Sequence, residues 1–337
     1  MNLNTKYLGL ELKNPIIVGA SNLVTDLDML KKLEDAGAAA IVYKSLFEEQ
    51  IHLENLELHQ GMTDYNDRNA EMNNLFQESL YEAGPEEFLH KFSKAKKALS
   101  IPLIASLNAV YDESWYEFAV KLQDAGADAI ELNFYSTPSD FEIDGRSIIN
   151  EELDVLEGVR AAVTIPVSVK LSPFYTNPLF TIAEMDKKNV HGFVLFNRLF
   201  QPDINIDTES HHFPYNLSHE QDNRLALRFA GLLFGKVKAD ICASMGVFSG
   251  ADVIKMILAG ANAVQVVSTL YKHGPKQITQ MLEDMQIWMA SKQYNSLEDF
   301  RGNLSAKNSE DPFAYSRAQY VDILMKSNQI FKNYPMR

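Results

Sequence analysis

Two lysines stand where a lysine is costly. Lys170 lies inside Val167-Ser-Val-Lys-Leu171, and Lys44 directly follows the apolar run Ala39–Tyr43. A cationic side chain is seldom buried without a partner, so each is either a solvated charge at the end of a run or an ammonium held for an anion. Two amides, Asn133 and Asn197, close further apolar runs. Each offers a donor and an acceptor, so each either caps the following loop or addresses a planar heterocycle. Small and hydroxylic residues close the others: Ala20-Ser21, Ser45, Ser106 with Asn108, Ser244-Met-Gly246 and Ser268-Thr269. Ser244–Gly246 and Ser268-Thr269 both precede helical patterns. They read as a cradle for a phosphate, because backbone N–H groups and a helix N-terminus favour negative charge.

The elements that must carry this set are legible in the hydrophobic pattern. Eight continuous apolar runs read as buried parallel strands: 16–21, 39–45, 102–107, 129–134, 166–171, 192–197, 240–246 and 263–269. Helical patterns over 26–36, 85–99, 114–125, 150–163, 219–234, 249–259 and 276–292 separate most of them. A unit recurs three times. Asp35-Ala-Gly-Ala-Ala-Ala-Ile-Val-Tyr43 resembles Asp124-Ala-Gly-Ala-Asp-Ala-Ile-Glu-Leu132, and both resemble Leu258-Ala-Gly-Ala-Asn-Ala-Val-Gln-Val266. In each, a helix ends on a glycine and a strand follows at once. Eight strands alternating with helices predict a closed α/β (β/α)8 TIM barrel, with an open doubly wound sheet as the competing arrangement. The polar set then falls on the C-terminal ends of the strands, the face where such barrels build their sites. Long loops after strands 2 (48–84) and 6 (200–217) open on the same face. Nothing marks a domain boundary, so the expectation is one domain over 1–337, with a barrel core at about 14–295 and a partly helical tail over 296–337.

Composition narrows the function. The net charge of −14 argues against nucleic-acid backbone binding and against anionic membranes. The first twelve residues are polar and charged rather than a signal sequence, and no run approaches a membrane span. Cys242 is the one cysteine, which excludes a disulfide within the chain and a four-cysteine cluster. A cytoplasmic protein is expected.

In order along the chain, Asn14-Pro15 leading to Gly19-Ala20-Ser21, then Lys44-Ser45, Glu131-Leu-Asn133, Val169-Lys170-Leu171, Phe196-Asn197, Met245-Gly246-Val247, Val264–Thr269 and Gly274-Pro275 resemble the dihydroorotate dehydrogenase family, in particular a divergent branch of it. The resemblance spans roughly residues 3–295. It implies FMN as cofactor, surrounded by Ala20, Ser21, Lys44, Ser45, Asn133, Lys170, Asn197, Gly246, Ser268 and Thr269. Ser106 and Asn108 are grouped with these as cofactor contacts. Lys170 would lie at the N1/O2 side of the flavin, and Gly246, Ser268 and Thr269 at its phosphate.

The implied reaction is oxidation of a CH–CH bond, dihydroorotate to orotate in pyrimidine biosynthesis. A base removes one proton while hydride leaves the neighbouring carbon. The position of the family base is Ser136, with Tyr135 as the alternative and Lys44 as an electrostatic element. Asn133, Asn197 and Arg198 would contact substrate, although Arg198 stands where the family has a different polar residue and could equally pair with an acidic side chain. The substrate motifs depart from the family pattern: Thr137-Pro138 follows the base, and Gln60–Leu75 is rich in asparagine without the family spacing. A binding protein that holds FMN or a phosphate ligand without turnover, or a barrel of other specificity, therefore remains the alternative. A flavin barrel acting on tRNA uridines fits the acidity poorly. The expected partners are a small substrate, a soluble electron acceptor or carrier and, by family analogy, a second copy in a homodimer. Neither nucleic acid nor membrane is expected, and no metal.

Overall fold

A computed structural model describes residues 1–47, 85–108, 112–135, 141–199, 201–212, 217–310, 315 and 318–326. Eight parallel strands form its centre: β1 (Ile16–Val18), β2 (Ala40–Val42), β3 (Leu103–Asn108), β4 (Ala129–Asn133), β5 (Val167–Leu171), β6 (Gly192–Leu195), β7 (Asp240–Ala243) and β8 (Ala263–Val266). Each pairs with the next, and β8 pairs back onto β1 with Gln265 opposite Ile17. The sheet is thus a closed barrel, not an open one. A short strand, Leu46–Phe47, pairs beside β3.

The helices lie outside: α1 (Leu27–Asp35), α2 (Pro85–Ala98), α3 (Asp112–Asp124), α4 (Gly145–Ala162), α5 (Pro178–Lys187), α6 (Asn223–Leu233), α7 (Gly250–Ala259), α8 (Ser268–His273) and α9 (Lys276–Lys292). In the tail, α10 spans Ala318–Met325. Strand side chains alternate, so one set faces the helices and the other fills the barrel. Tyr43, for example, packs edge-on against Phe88 and Phe92 of α2. Its neighbour Lys44 points the other way. Helix α5 is absent from the periodic pattern, yet its start is written locally. Asn177 caps it by accepting from Phe180 N–H, and Pro178 supplies the first turn.

Two hairpins go beyond the expected repeat. Thr5–Tyr7 pairs antiparallel with Leu10–Leu12. Although the first twelve residues read as polar, Tyr7, Leu8 and Leu12 are buried, while Lys6 and Glu11 face out. They pack with Ile17, Val42, Ile104 and Val194 in a cluster that closes the lower end of the barrel. In the insert after β6, Asp203–Asn205 pairs with Ser210–His212, and all six residues are exposed. The insert over 48–84, including Gln60–Leu75, lies outside the described residues, as do Phe200 and residues 213–216.

Candidate active site

The strands are shorter than the apolar runs that announced them, and the difference is the site. β1 stops at Val18, β2 at Val42, β7 at Ala243 and β8 at Val266. Most of the remaining residues of each run surround a cavity of about 410 Å³ at the C-terminal face. Nine residues singled out in the sequence line it: Ala20, Ser21, Lys44, Ser45, Asn133, Lys170, Asn197, Gly246 and Ser268. Tyr135 and Arg198 line it as well. Ser136 lies outside the described residues.

Three expected cofactor contacts stand behind this wall instead. Ser106 is fully buried, with its hydroxyl 2.7 Å from that of Ser45. Asn108 donates to the Asn133 carbonyl at 2.6 Å. Thr269 is buried and donates to the Phe248 carbonyl. Each fixes a lining residue or its loop rather than reaching the cavity.

The lining has a consistent electrostatic character. Three cations, Lys44, Lys170 and Arg198, border it, and among the described residues no aspartate or glutamate does. This stands in a molecule of net charge −14. Clustering one sign in a low-dielectric cleft focuses its field on an anionic ligand. The cations differ in how they are held. Arg198 is tied to Asp222 at 2.6 Å, so its acidic-partner reading is realised. Lys170 meets Glu131 at 3.7 Å and donates to Gln265 Oε1 at 3.2 Å. For Lys44 no ion pair is found among the described residues.

The amides are pre-aligned. Asn197 Nδ2 donates to Asn133 Oδ1 at 2.6 Å, across the gap between β4 and β6. That bond orients both side chains, leaving the Asn133 amide group and the Asn197 carbonyl for other partners.

The loop after β7 is unusual in its backbone. Met245 and Gly246 both take left-handed conformations, with φ of 73° and 65°. A Cβ on Gly246 would stand 2.5 Å from Asn223 N and 2.7 Å from His219 O. The loop can follow this path only with glycine there. Ser268 Oγ accepts from both Ser218 N (2.9 Å) and Ser218 Oγ (2.8 Å), which closes the cradle from β8. Helix α7 opens with a capping box between Ser249 and Asp252. Asp252 Oδ2 accepts from Phe248 N and Ser249 N, capping α7 from within.

Two site residues escaped the reading of the sequence. Glu131 is 1% exposed inside the barrel and Gln265 2%. Like Lys170, Glu131 is a charged group within an apolar strand, Ala129–Asn133, and carried the same signal.

A C-terminal-face cavity of cations and amides in a closed eight-stranded barrel defines the class: an α/β barrel with a cation-lined cleft at its strand ends. The sequence comparisons assign the family. The profile of the dihydroorotate dehydrogenase family matches residues 2–289, and the chain belongs to that family. Its class of chemistry is oxidoreduction at a CH–CH group. A dihydroorotate dehydrogenase B (NAD(+)), catalytic subunit, of Thermoplasma volcanium is 27% identical over 312 residues, covering 89% of this chain and 98% of the relative. A putative dihydroorotate dehydrogenase A (fumarate) of Aeropyrum pernix is 28% identical over 230 residues, 66% of this chain and 74% of the relative. The chloroplastic dihydropyrimidine dehydrogenase (NADP(+)) of Arabidopsis thaliana is 22% identical over 327 residues, 90% of this chain and 76% of the relative. Among the described residues no helix is long and apolar enough to cross a membrane.

Proposed function

We propose that this cavity binds FMN and that the protein oxidises dihydroorotate, or a closely similar cyclic CH–CH donor, to its unsaturated product. The observation that carries the proposal is the cavity itself: cations and oriented amides without a lining carboxylate, in a member of this family. The residues present fit FMN. The Ser21 hydroxyl is buried without a partner, as a side chain waiting for a ligand would be. The loop residues Met245 and Gly246, both left-handed, line the same cavity beside Ser268.

Lys170, Asn133, Asn197 and Ser21 would hold the ring system, and the loop 244–247 with Ser268 would hold the phosphate. Bound FMN supplies the acceptor for the two electrons that leave the substrate. The chain's own residues do the rest. Lys44 offers its ammonium to the substrate carboxylate, a task Arg198 does not share because Asp222 holds it. Tyr135 or Ser136 takes the proton from the substrate carbon; a hydroxyl is a weak base and needs the neighbouring cations to favour its ionised form. Electrons then pass to a soluble acceptor or carrier. The relatives named as catalytic subunits point to a partner protein, and one cysteine leaves this chain unable to hold a four-cysteine cluster itself. A cytoplasmic homodimer is the assembly we propose.

The test is a flavin spectrum of the purified protein, followed by anaerobic addition of dihydroorotate. We expect a yellow protein that bleaches. A protein that stays colourless after FMN reconstitution refutes the cofactor assignment, and a yellow protein that does not bleach refutes the substrate. Tyr135→Phe and Ser136→Ala then divide the base role: only the variant that lost the base slows bleaching while keeping its flavin.

A further inference from the structure

Behind Lys170 lie two buried polar side chains, Glu131 and Gln265, that the proposed chemistry does not use. Glu131 is registered opposite Ser168 and sits two residues deeper in the barrel than Asn133, which is registered opposite Lys170. Its Oε2 accepts from Gln265 Nε2. Gln265 Oε1 in turn accepts from Lys170 Nζ at 3.2 Å. Glu131 Oε1 stands 3.7 Å from the same ammonium, within ion-pair range but without a direct hydrogen bond, and it is buried with no other partner. The Gln265 amide has its orientation dictated from both sides, since the carboxylate requires its NH2 and the ammonium its carbonyl. Of the three, Lys170 and Gln265 line the cavity and Glu131 does not.

Burying a carboxylate this completely is costly, and only its pairing offsets the cost. An apolar residue would fill an interior strand position without that penalty. The surroundings add little opposing charge. Tyr7 and Cys242 pack beneath, and burial pushes both well above their ordinary values, so they stay neutral. Asp240, at the lower end of β7, is bound by Leu8 N–H at 2.8 Å.

We infer that Glu131 is a positioning residue: through Gln265 and its ion pair it sets where the Lys170 ammonium stands, and it cancels part of the positive charge that a bound flavin meets there. This inference rests on the FMN reading given above. Reduction adds electron density to the flavin ring, so a cation at its edge makes reduction easier and an anion makes it harder. Glu131 and Lys170 thus act in opposite directions on one quantity, the midpoint potential of the bound flavin, although only Lys170 reaches the cavity.

The experiment compares midpoint potentials of the FMN-loaded protein, Glu131→Gln, Lys170→Gln and the double variant by spectroelectrochemical titration, with FMN dissociation constants measured alongside. Glu131→Gln leaves the ammonium without its counter-charge and shifts the potential upward. Lys170→Gln leaves an unpaired carboxylate and shifts it downward. The double variant falls between the two single variants, because both charges of the pair are lost together. A Glu131→Gln potential that is unchanged or lower overturns the inference; so does weaker FMN binding in both single variants without opposed shifts, the result of a packing role. If Glu131→Gln does not fold, Glu131→Leu removes the same charge without orphaning an amide and carries the same expected sign. A parent protein that binds no FMN removes the flavin reading and this inference together, whereas a flavin-loaded parent whose variants do not shift removes the inference alone.

Discussion

Lys44 and Lys170 share a residue type and a cavity but not a role, and the difference is set by what lies behind them. Lys170 has Glu131 and Gln265 beneath it. Lys44 has a hydroxyl neighbour, Ser45, whose own bond goes to Ser106. Lys44 is therefore the cation that a ligand carboxylate can claim. A hydrogen bond to a charged group contributes about 1.5–3 kcal/mol, which corresponds to roughly 10–100-fold in affinity. Lys44→Met should weaken orotate binding by that order, read from the flavin spectral change on titration. It should leave the melting temperature nearly unaltered, since no described ion pair is broken.

At the scale of elements, the loop after β7 and the junction of α4 with the segment after β5 carry separate predictions. Gly246→Ala forces a side chain against the backbone of Asn223 and His219 at a φ of 65°. Strain of this kind costs about 1–3 kcal/mol, and the loop can relieve it only by moving. The variant should lose FMN on gel filtration while far-UV circular dichroism is retained. In α4, Glu152 is buried and receives the Tyr175 hydroxyl at 2.7 Å. Burial raises its carboxyl to about 7 from 4.5, the Tyr175 bond opposing the rise. Between those values the folded protein holds a proton that the unfolded chain has released. Stability therefore falls as pH rises through that window, by about 3 kcal/mol once above it. Glu152→Gln should melt higher than the parent at pH 8, with little gain at pH 4.5, as thermal scans at the two values would record. Lost stabilisation at both values would show that the carboxylate is needed charged.

At the scale of the molecule, the barrel is closed from below by its own N-terminal hairpin. Gly192, first in β6, is where the two meet: a Cβ there would come 2.5 Å from Leu8 Cδ2 and 3.2 Å from the Tyr7 ring. Leu8 is fully buried and has no room to yield. Gly192→Ala overpacks this contact and should destabilise by about 1–3 kcal/mol, measured by denaturant unfolding. The cavity lies at the opposite end, so flavin affinity measured in the folded variant should be unchanged.

The order and type of the central elements were readable because backbone geometry imposes its period locally. A helix ended by glycine and followed at once by an apolar run allows few arrangements, and eight apolar runs alternating with helices favoured a barrel. The strand-end residues were readable for the same reason: a lysine or asparagine at the edge of a buried run is anomalous within a few residues of sequence. The N-terminal hairpin was not, because Thr5–Leu12 forms two strands of only three residues each, too short to show a period until a barrel end exists for Tyr7 and Leu8 to fill. Nor was the backing of the site. Glu131 and Gln265 are 134 residues apart, and Ser45 and Ser106 are 61 apart. Closure of the sheet alone decides that these side chains meet, and so which lysine is paired, which hydroxyls face the cavity and which stand behind its wall. The sequence by itself determined the barrel and the residues at its rim; the tertiary structure decided their partners, because a hydrogen bond depends on distances that no local pattern contains.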